Sequence, residues 1–453
     1  MLYLSRSFPQ SNHYWLKNAH VPVALLNQTD PSVAVHPTRE GLTCVHIEIR
    51  AGQITQIRSS DCLIPEQIPA IDLQRGIVFP CFVDMHTHLD KGHVWERVPN
   101  LNGTFDNAVT IVEKDSEKHW DAEDVFRRME FGLKCSYAHG TSAIRTHIDS
   151  LGQQAEISLD VFKVLRDEWA DRLTLQAVTL VTLDYYQTPA GEKLADQIAE
   201  VGGVLGGLPL MHEALDSQLD RLFELAKERQ LDLDFHTDES GNPNHITLRH
   251  VAAAALRHNF QGQIVCGHCC SLAVQPPEEV QQTIDLVKQS RIGIVSLPLC
   301  NLYLQDRNHN PERESFLHPT TPRWRGITLL HELKQAGIPV AVASDNCRDP
   351  FYGFGDHDVL EVLTQATRIA HLDAPYGDWC RIVTTTPADL MGLPRLGRIA
   401  PGLPADLIVF KARYYSELLS RPQSDRTVLR NGNPIDTTLP DYAELDDLLD
   451  LHE

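Results

Sequence analysis

The chain has 453 residues and a formal net charge of -21, from 40 basic and 61 acidic side chains. That excess argues against nucleic acid or an anionic membrane as a partner reached through a general basic surface, and no local Lys/Arg cluster reverses it. With 42% hydrophobic and 22% charged residues, the composition is that of an ordinary soluble globular chain, and a core of this size needs no disulfide staples.

The N-terminal stretch MLYLSRSFPQSNHYWLKN has neither a sustained apolar core nor a small-residue cleavage site, so no signal peptide is expected. Nowhere do about 18 consecutive apolar residues suggest a membrane span. The ten cysteines are scattered, and with no export signal they are expected as thiols in a cytoplasmic protein. Residues 20–75 then carry β-like runs (VPVALL, LTCVHIEIRAGQITQI) separated by turn residues.

From residue 77 to 345 the pattern alternates. Eight short apolar runs read as strands: IVFPCFVDMHTH, TSAIRTHID, LTLQAVTLV, GGVLGGLPL, LDLDFHTDE, QIVCGHCC, RIGIVSLPL and IPVAVASDN. Amphipathic patterns lie between them. DAEDVFRRMEFGLKCSYAHG starts acidic and stops at Gly140, DSQLDRLFELAKERQ is similar, and PPEEVQQTIDLVKQS opens on prolines suited to a first helical turn. Near-continuous apolar strands alternating with helices indicate an α/β fold with a parallel sheet covered on both sides, and eight units indicate a TIM-like (β/α)8 barrel. Past residue 396, GRIAPGLPADLIVFKAR and DRTVLRNGNPI again read as strands. The expected organisation is a composite β-sandwich domain of residues 1–75 and 396–453 around a barrel of residues 76–395. The acidic end, DYAELDDLLDLHE, reads as a tail or short helix without assignable chemistry.

Barrel enzymes carry their chemistry at the C-terminal ends of the strands. Here run one ends with His86 and His88, run two with His147 and Asp149, run five with His236 and Glu239, run six with His268, and run eight with Asp345. Singly, each has an ordinary explanation: one of 22 histidines, a helix cap, a solvated carboxylate. Jointly they point to a metal site. His86 and His88 share a strand face because side chains alternate with period two. With His236 and Asp345 they make a set suited to Zn²⁺ or Fe²⁺ rather than Mg²⁺ or Ca²⁺. Such an ion brings the pKa of a bound water near neutrality. Asp345 could accept a proton from that water, Glu239 could deliver one to the substrate and leaving group, and His268 could stabilise developing charge. The Cys266–Cys269 spacing lacks the second pair of a structural zinc site, so packing at a strand end is expected there.

With these motifs in place, the chain resembles the amidohydrolase superfamily and, within it, the cytosine deaminases. The resemblance extends over nearly the whole chain, including GRIAPGLPADLIVF in the terminal β domain. It implies a distorted barrel, one catalytic divalent metal (Zn or Fe(II)), ligands His86, His88, His236 and Asp345, proton shuttle Glu239 and water-orienting His268. Run four has no lysine to bridge two metals, so a mononuclear site is expected. RTHID and PLCNLYLQDR favour the cytosine-deaminase branch. The substrate positions depart from it: Thr182 stands where that type has glutamine, Asn346 where it has a second aspartate, and Phe351 at an aromatic lid position. The SDN…D pattern, Ser344 to Asp349, is also similar to N-isopropylammelide amidohydrolase.

Lys91, Arg145, His147 and Asn301 are further candidates for the pocket. Rim hydrogen bonding is the alternative for Arg145 and His147, and a solvated pair the alternative for Asp90–Lys91. The resulting expectation is a metal-dependent aminohydrolase that converts the exocyclic amine of cytosine or a close amino-pyrimidine to an oxo group plus ammonia. Isocytosine, 5-methylcytosine, isoguanine or an s-triazine are alternative substrates. Cyclic-amide hydrolysis and a non-catalytic metal-binding role are the more distant alternatives. The expected partner is a small nitrogen heterocycle, with neither nucleic acid nor membrane. Superfamily members are frequently homo-oligomeric, and the residues single out no associating surface.

Overall fold

A computed structural model describes residues 8–27, 36–307 and 321–449. The chain divides into two compact units: Met1–Val83 with Ser136–Ser142 and Val359–Leu439, and Asp84–Cys135 with Ala143–Asp358 and Pro440–Glu453.

The first unit is built on two four-stranded sheets. Strands β1 (His13–Pro22), β2 (Leu42–Arg50) and β3 (Gln53–Ser59) form an antiparallel meander, and β4 (Ala70–Asp72) adds parallel to β1. β5 (Val78–Pro80) pairs with Leu407–Val409, which continues through Thr427–Arg430 to Asn433–Pro434. Alternation drives the packing: Val45, Ile47 and Ile49 of β2 enter one core with Ile54, Ile57, Leu407, Val409 and Leu429. Strands near the two ends of the chain thus share one apolar interior, the sandwich expected from sequence.

The second unit holds the barrel. Its strands are β6 (Phe82–Thr87), β7 (Thr141–Asp149), β8 (Thr174–Leu180), β9 (Leu205–Gly207), β10 (Leu233–Thr237), β11 (Ile264–His268), β12 (Gly293–Ser296) and β13 (Val340–Val342). They form the series β6-β7-β8 and β9 through β13. Backbone bonds close the ring: Leu208 N–H to Val181 O (2.8 Å) joins β8 to β9, and Asp345 N–H to His86 O (2.9 Å) joins the end of β13 to β6. Every residue of β6, β10 and β11 is buried, as parallel strands covered on both faces require. β9 is short, and two of its three residues are glycine. A Cβ on Gly206 would lie 2.4 Å from Val178 Cγ1 and 2.5 Å from Asp234 O, so only glycine lets the neighbouring strands approach here.

The expected helices form at Ala122–His139, Leu215–Arg229 and Pro277–Ser290, the first ending before Gly140 at φ +96°. The acidic C-terminal segment is a short 3₁₀ turn, Tyr442–Leu448, with a capping box from Asp441 and Glu444. Its Leu445 packs on Phe131 and Cys135. Among the described residues no helix is long and apolar enough to cross a membrane.

Candidate metal centre and active site

His86, His88, His236 and Asp345 meet at the C-terminal end of the barrel. His88 Nε2 lies 3.2 Å from Asp345 Oδ1, His86 Nε2 lies 3.6 Å from the same oxygen, and His236 Nε2 lies 3.3 Å from His88 Nε2. Four tetrahedral ligands 2.0–2.1 Å from an ion stand about 3.3 Å apart. The spacing therefore fits a divalent metal such as Zn²⁺. The donor chemistry fits as well. Burial, reinforced by neighbouring positive charge, holds all three imidazoles well below their ordinary range and so deprotonated, as ligation requires. Both ring nitrogens of His86 lack a hydrogen-bond partner among the described residues. Burial first, then Asp349 and Asp84, push the Asp345 carboxyl up to about 8, a cost that a cation in the site removes. Asp345 (φ 64°) and His268 (φ 63°) are left-handed, which costs about 1–2 kcal/mol per residue and is characteristic of functional sites.

Glu239 and His268 stand beside this group, their side chains 3.3 Å apart. Asn301 Nδ2 donates to Glu239 Oε1 (3.1 Å) and to His268 Nδ1 (3.0 Å). An amide nitrogen only donates, so Nδ1 is the acceptor and the proton of His268 sits on Nε2. Burial lowers His268 to about 3, so it is a neutral donor. His268 also approaches His86 and His236 closely enough to complete an alternative ligand triad. Glu239 is held well above the usual carboxylate range by burial and then by Asp345, against the opposing pull of Lys91 and Asn301.

A cavity of about 950 Å³ opens over these groups. His88, Lys91, Thr182, His236, Glu239, His268, Asp345, Asn346 and Phe351 all line it. Lys91 is buried, ion-paired to Asp149 (2.7 Å), and lies 5.1 Å from the Phe351 ring. Asp90 is also buried and accepts the Asp149 N–H at 2.8 Å. The solvated-pair alternative for these two residues does not hold. Asn346 spends its amide on Asp349 (2.8 Å), which in turn accepts the Phe351 N–H.

Three other sequence candidates stand elsewhere. Asn301 sits behind Glu239 and His268 rather than in the described cavity wall. His147 lies behind His86, ring centroids 3.9 Å apart. Arg145 is inside the barrel, ion-paired to Asp234 (2.8 Å) and donating to Gln176; it is a buried structural group. Sequence reasoning missed the cavity wall formed by the helix Phe105–His119, through Phe105, Val109, Val112 and Glu113. Its amphipathic pattern is that of any helix packed on a barrel. Asp349, the last residue of the SDN…D pattern, entered the sequence reading only through a resemblance; its hydrogen bonds to Asn346 and to the Phe351 N–H were not foreseen. Cys266, Cys269 and Cys270 are buried thiols, with Cys269 Sγ 3.1 Å from Thr237 Oγ1, in keeping with strand-end packing.

A metal-ready cluster of this kind at the mouth of a (β/α)8 barrel defines a metallohydrolase. The model of the amidohydrolase family matches residues 199–436, and the chain belongs to that family. It is 49% identical over 452 residues to a pterin deaminase of Rhizobium rhizogenes (strain K84 / ATCC BAA-868), covering 99% of this chain and 100% of the relative. It is 25% identical over 374 residues to N-isopropylammelide isopropyl amidohydrolase of Pseudomonas sp. (strain ADP), covering 81% and 87%. Among solved structures, 5-methylcytosine deaminase from Klebsiella pneumoniae liganded with phosphonocytosine superimposes with a TM-score of 0.77 at 25% identity, covering 93% of this chain and 97% of that one. The chain is a hydrolase acting on C–N bonds, of the deaminase branch.

Proposed function

We propose that this protein hydrolyses the exocyclic amine of pterin, releasing ammonia and leaving an oxo group at the amine-bearing carbon. The observation that carries the deaminase chemistry is the set Glu239, Asn301 and His268 beside the three-histidine, one-aspartate cluster. A divalent ion held by His86, His88, His236 and Asp345 would supply a water activated for attack near neutral pH. Asp345 is placed to take the proton of the attacking water. Glu239, whose carboxyl burial holds well above the usual carboxylate range, is suited to protonate the ring nitrogen next to the reacting carbon and to relay a proton to the departing amine. His268 offers Nε2–H to the developing oxyanion. Water adds, the C–N bond breaks, and ammonia leaves.

Two findings favour pterin over a lone pyrimidine. The full-length relative at 49% identity is a pterin deaminase, and a cavity of about 950 Å³ is far larger than one six-membered ring fills. Pterin carries the amine and carbonyl pattern of isocytosine on a fused second ring. The apolar wall of Phe105, Val109, Val112 and Leu180 suits that extra ring. A second reading, cytosine or 5-methylcytosine as substrate, draws on the fold shared with the Klebsiella pneumoniae enzyme.

Ammonia release from pterin, isocytosine, cytosine and 5-methylcytosine, using enzyme of assayed metal content, separates the two readings. The expected kcat/KM for pterin exceeds that for cytosine by at least about a hundredfold. A preference for cytosine would overturn the substrate. The Glu239→Gln variant is expected to lose about 10²- to 10⁴-fold in kcat with its metal retained. Turnover near wild type in that variant would remove Glu239 from the mechanism.

A further inference from the structure

Outside the cavity lining lies a second group of metal-capable side chains. His93, Cys347 and His357 are all buried, and one ligand atom from each lies within 4.8 Å of the other two. The Nε2 atoms of His93 and His357 are 3.3 Å apart, the same separation as His88 and His236 in the first cluster and the edge expected of a tetrahedral site, about 3.3 Å. A neutral hydrogen bond between the imidazoles accounts for those two atoms alone. It leaves His93 Nδ1 buried without a hydrogen-bond partner among the described residues, and the buried Cys347 thiol, held by the His357 backbone N–H, lies within 4.8 Å of a nitrogen of each ring. His93 (φ 63°) and His357 (φ 53°) are both left-handed, a conformation that L residues keep only where the surroundings impose it.

We propose that His93, Cys347 and His357 form a second, structural site for a zinc-class divalent ion. Two imidazoles and one thiolate are the donors that select a borderline-soft cation over Mg²⁺ or Ca²⁺. Binding converts the Cys347 thiol to a thiolate and releases one proton.

The site has a mechanical consequence. His93 follows His88 by five residues, Cys347 follows Asp345 by two, and His93 N–H already bonds Cys347 O at 3.1 Å. An ion here would pin the loop after β6 to the loop after β13, which between them carry two of the four ligands of the first cluster, His88 and Asp345. It would act as a staple behind the active site.

Cobalt reconstitution tests this, because a thiolate ligand gives Co²⁺ a near-ultraviolet charge-transfer band that a site of imidazoles and carboxylate does not. Full-length protein loaded with Co²⁺ is expected to hold two equivalents per chain and to show the band. Cys347→Ser and His93→Gln should each lose the band and one equivalent. A His86→Asn/His236→Asn double variant should keep the band on its single remaining equivalent. Cys300 stands beside Glu239 and Asp345 in the first cluster, so Cys300→Ser, expected to retain the band, is the control. One equivalent in the wild type, a band that survives Cys347→Ser, or a band lost in Cys300→Ser would each overturn the proposal. Should Cys347→Ser not fold, His93→Gln and His357→Gln decide it by stoichiometry. None of these readouts depends on the substrate, so failure here leaves the proposed deamination untouched.

Discussion

At Gly267 a hydrogen stands where any other residue would put a carbon 3.0 Å from Cε1 and 3.2 Å from Nδ1 of His86. A methyl group here would press on the ring more tightly than ordinary packing, so His86 would have to give by a few tenths of an ångström. Gly267→Ala should push the His86 ring off its line to Asp345. The expected result is metal affinity lowered about 10- to 100-fold, the range for substitutions around a ligand, measured by competition with a chelator. Unchanged affinity would mean that His86 does not ligate. Asn301 poses the complementary case. It touches no ligand of the four-residue set but fixes both Glu239 and His268. Asn301→Ala should therefore keep metal stoichiometry at the first cluster and lose about 10²- to 10³-fold in kcat. Metal loss equal to the loss in rate would count against this division of labour. At this scale the sequence is legible in part. The H-x-H parity of His86 and His88 follows from strand geometry alone. The burial of Asp90 and Lys91 does not, because it depends on Asp149 arriving from β7 and Phe351 from beyond β13.

The helix Phe105–His119 forms one wall of the cavity and is held by charge rather than by ligands. Arg97 makes a bidentate pair with Asp115 (both 2.8 Å) and reaches Asp124 of the next helix at 2.8 Å; Arg128 adds two bonds to Asp124. These side chains are at most 7% exposed, so the network escapes the screening that makes surface pairs weak. Burial alone would raise Asp124, but Arg128 and Arg97 outweigh it and hold its carboxyl below the ordinary value. A carboxyl lowered by folding contributes its stability above the unfolded pKa, about 3.9, and loses it as pH falls through the folded value. Asp124→Asn should therefore destabilise the protein by about 3–5 kcal/mol. The deficit, read from urea unfolding, should be constant between about pH 5 and 8 and should shrink only below about pH 3.9. A deficit that changes across the neutral range would assign the effect to another group. Of these two helices only Ala122–His139 was legible, from its acidic start and its stop at Gly140; Phe105–His119 carried no such end signal. Their partners were not, since the ion network joins residues 97, 115, 124 and 128 through geometry that no single pattern encodes.

Across the whole chain, the period-two and period-3.6 patterns were enough to recover eight barrel strands and a sandwich made from near both ends, because each element buries a continuous apolar face. What the patterns could not supply was the size of the cavity. Its volume depends on where the helix Phe105–His119 lies, and with it the distinction between a one-ring and a two-ring substrate. The same topology makes the metal an element of stability. His86 comes from β6 and His88 from just after it, His236 from β10 and Asp345 from the turn after β13, so the ligands lie up to 259 positions apart in sequence. Without a cation they form a buried group with an aspartate pushed up to about 8. Bound metal stabilises the folded state by about 4 kcal/mol when present at a thousandfold over its dissociation constant, which corresponds to roughly 4 °C in melting temperature for a cooperatively unfolding chain of this length. Chelation followed by calorimetry should show that loss, and Zn²⁺ or Co²⁺ should restore it, with Mg²⁺ ineffective. In a His236→Asn variant, chelation should lower the melting temperature by clearly less than in the wild type, because the first cluster no longer holds its ion. Equal sensitivity of the two proteins to the chelator would place the stabilising ion elsewhere and leave the first cluster without its metal.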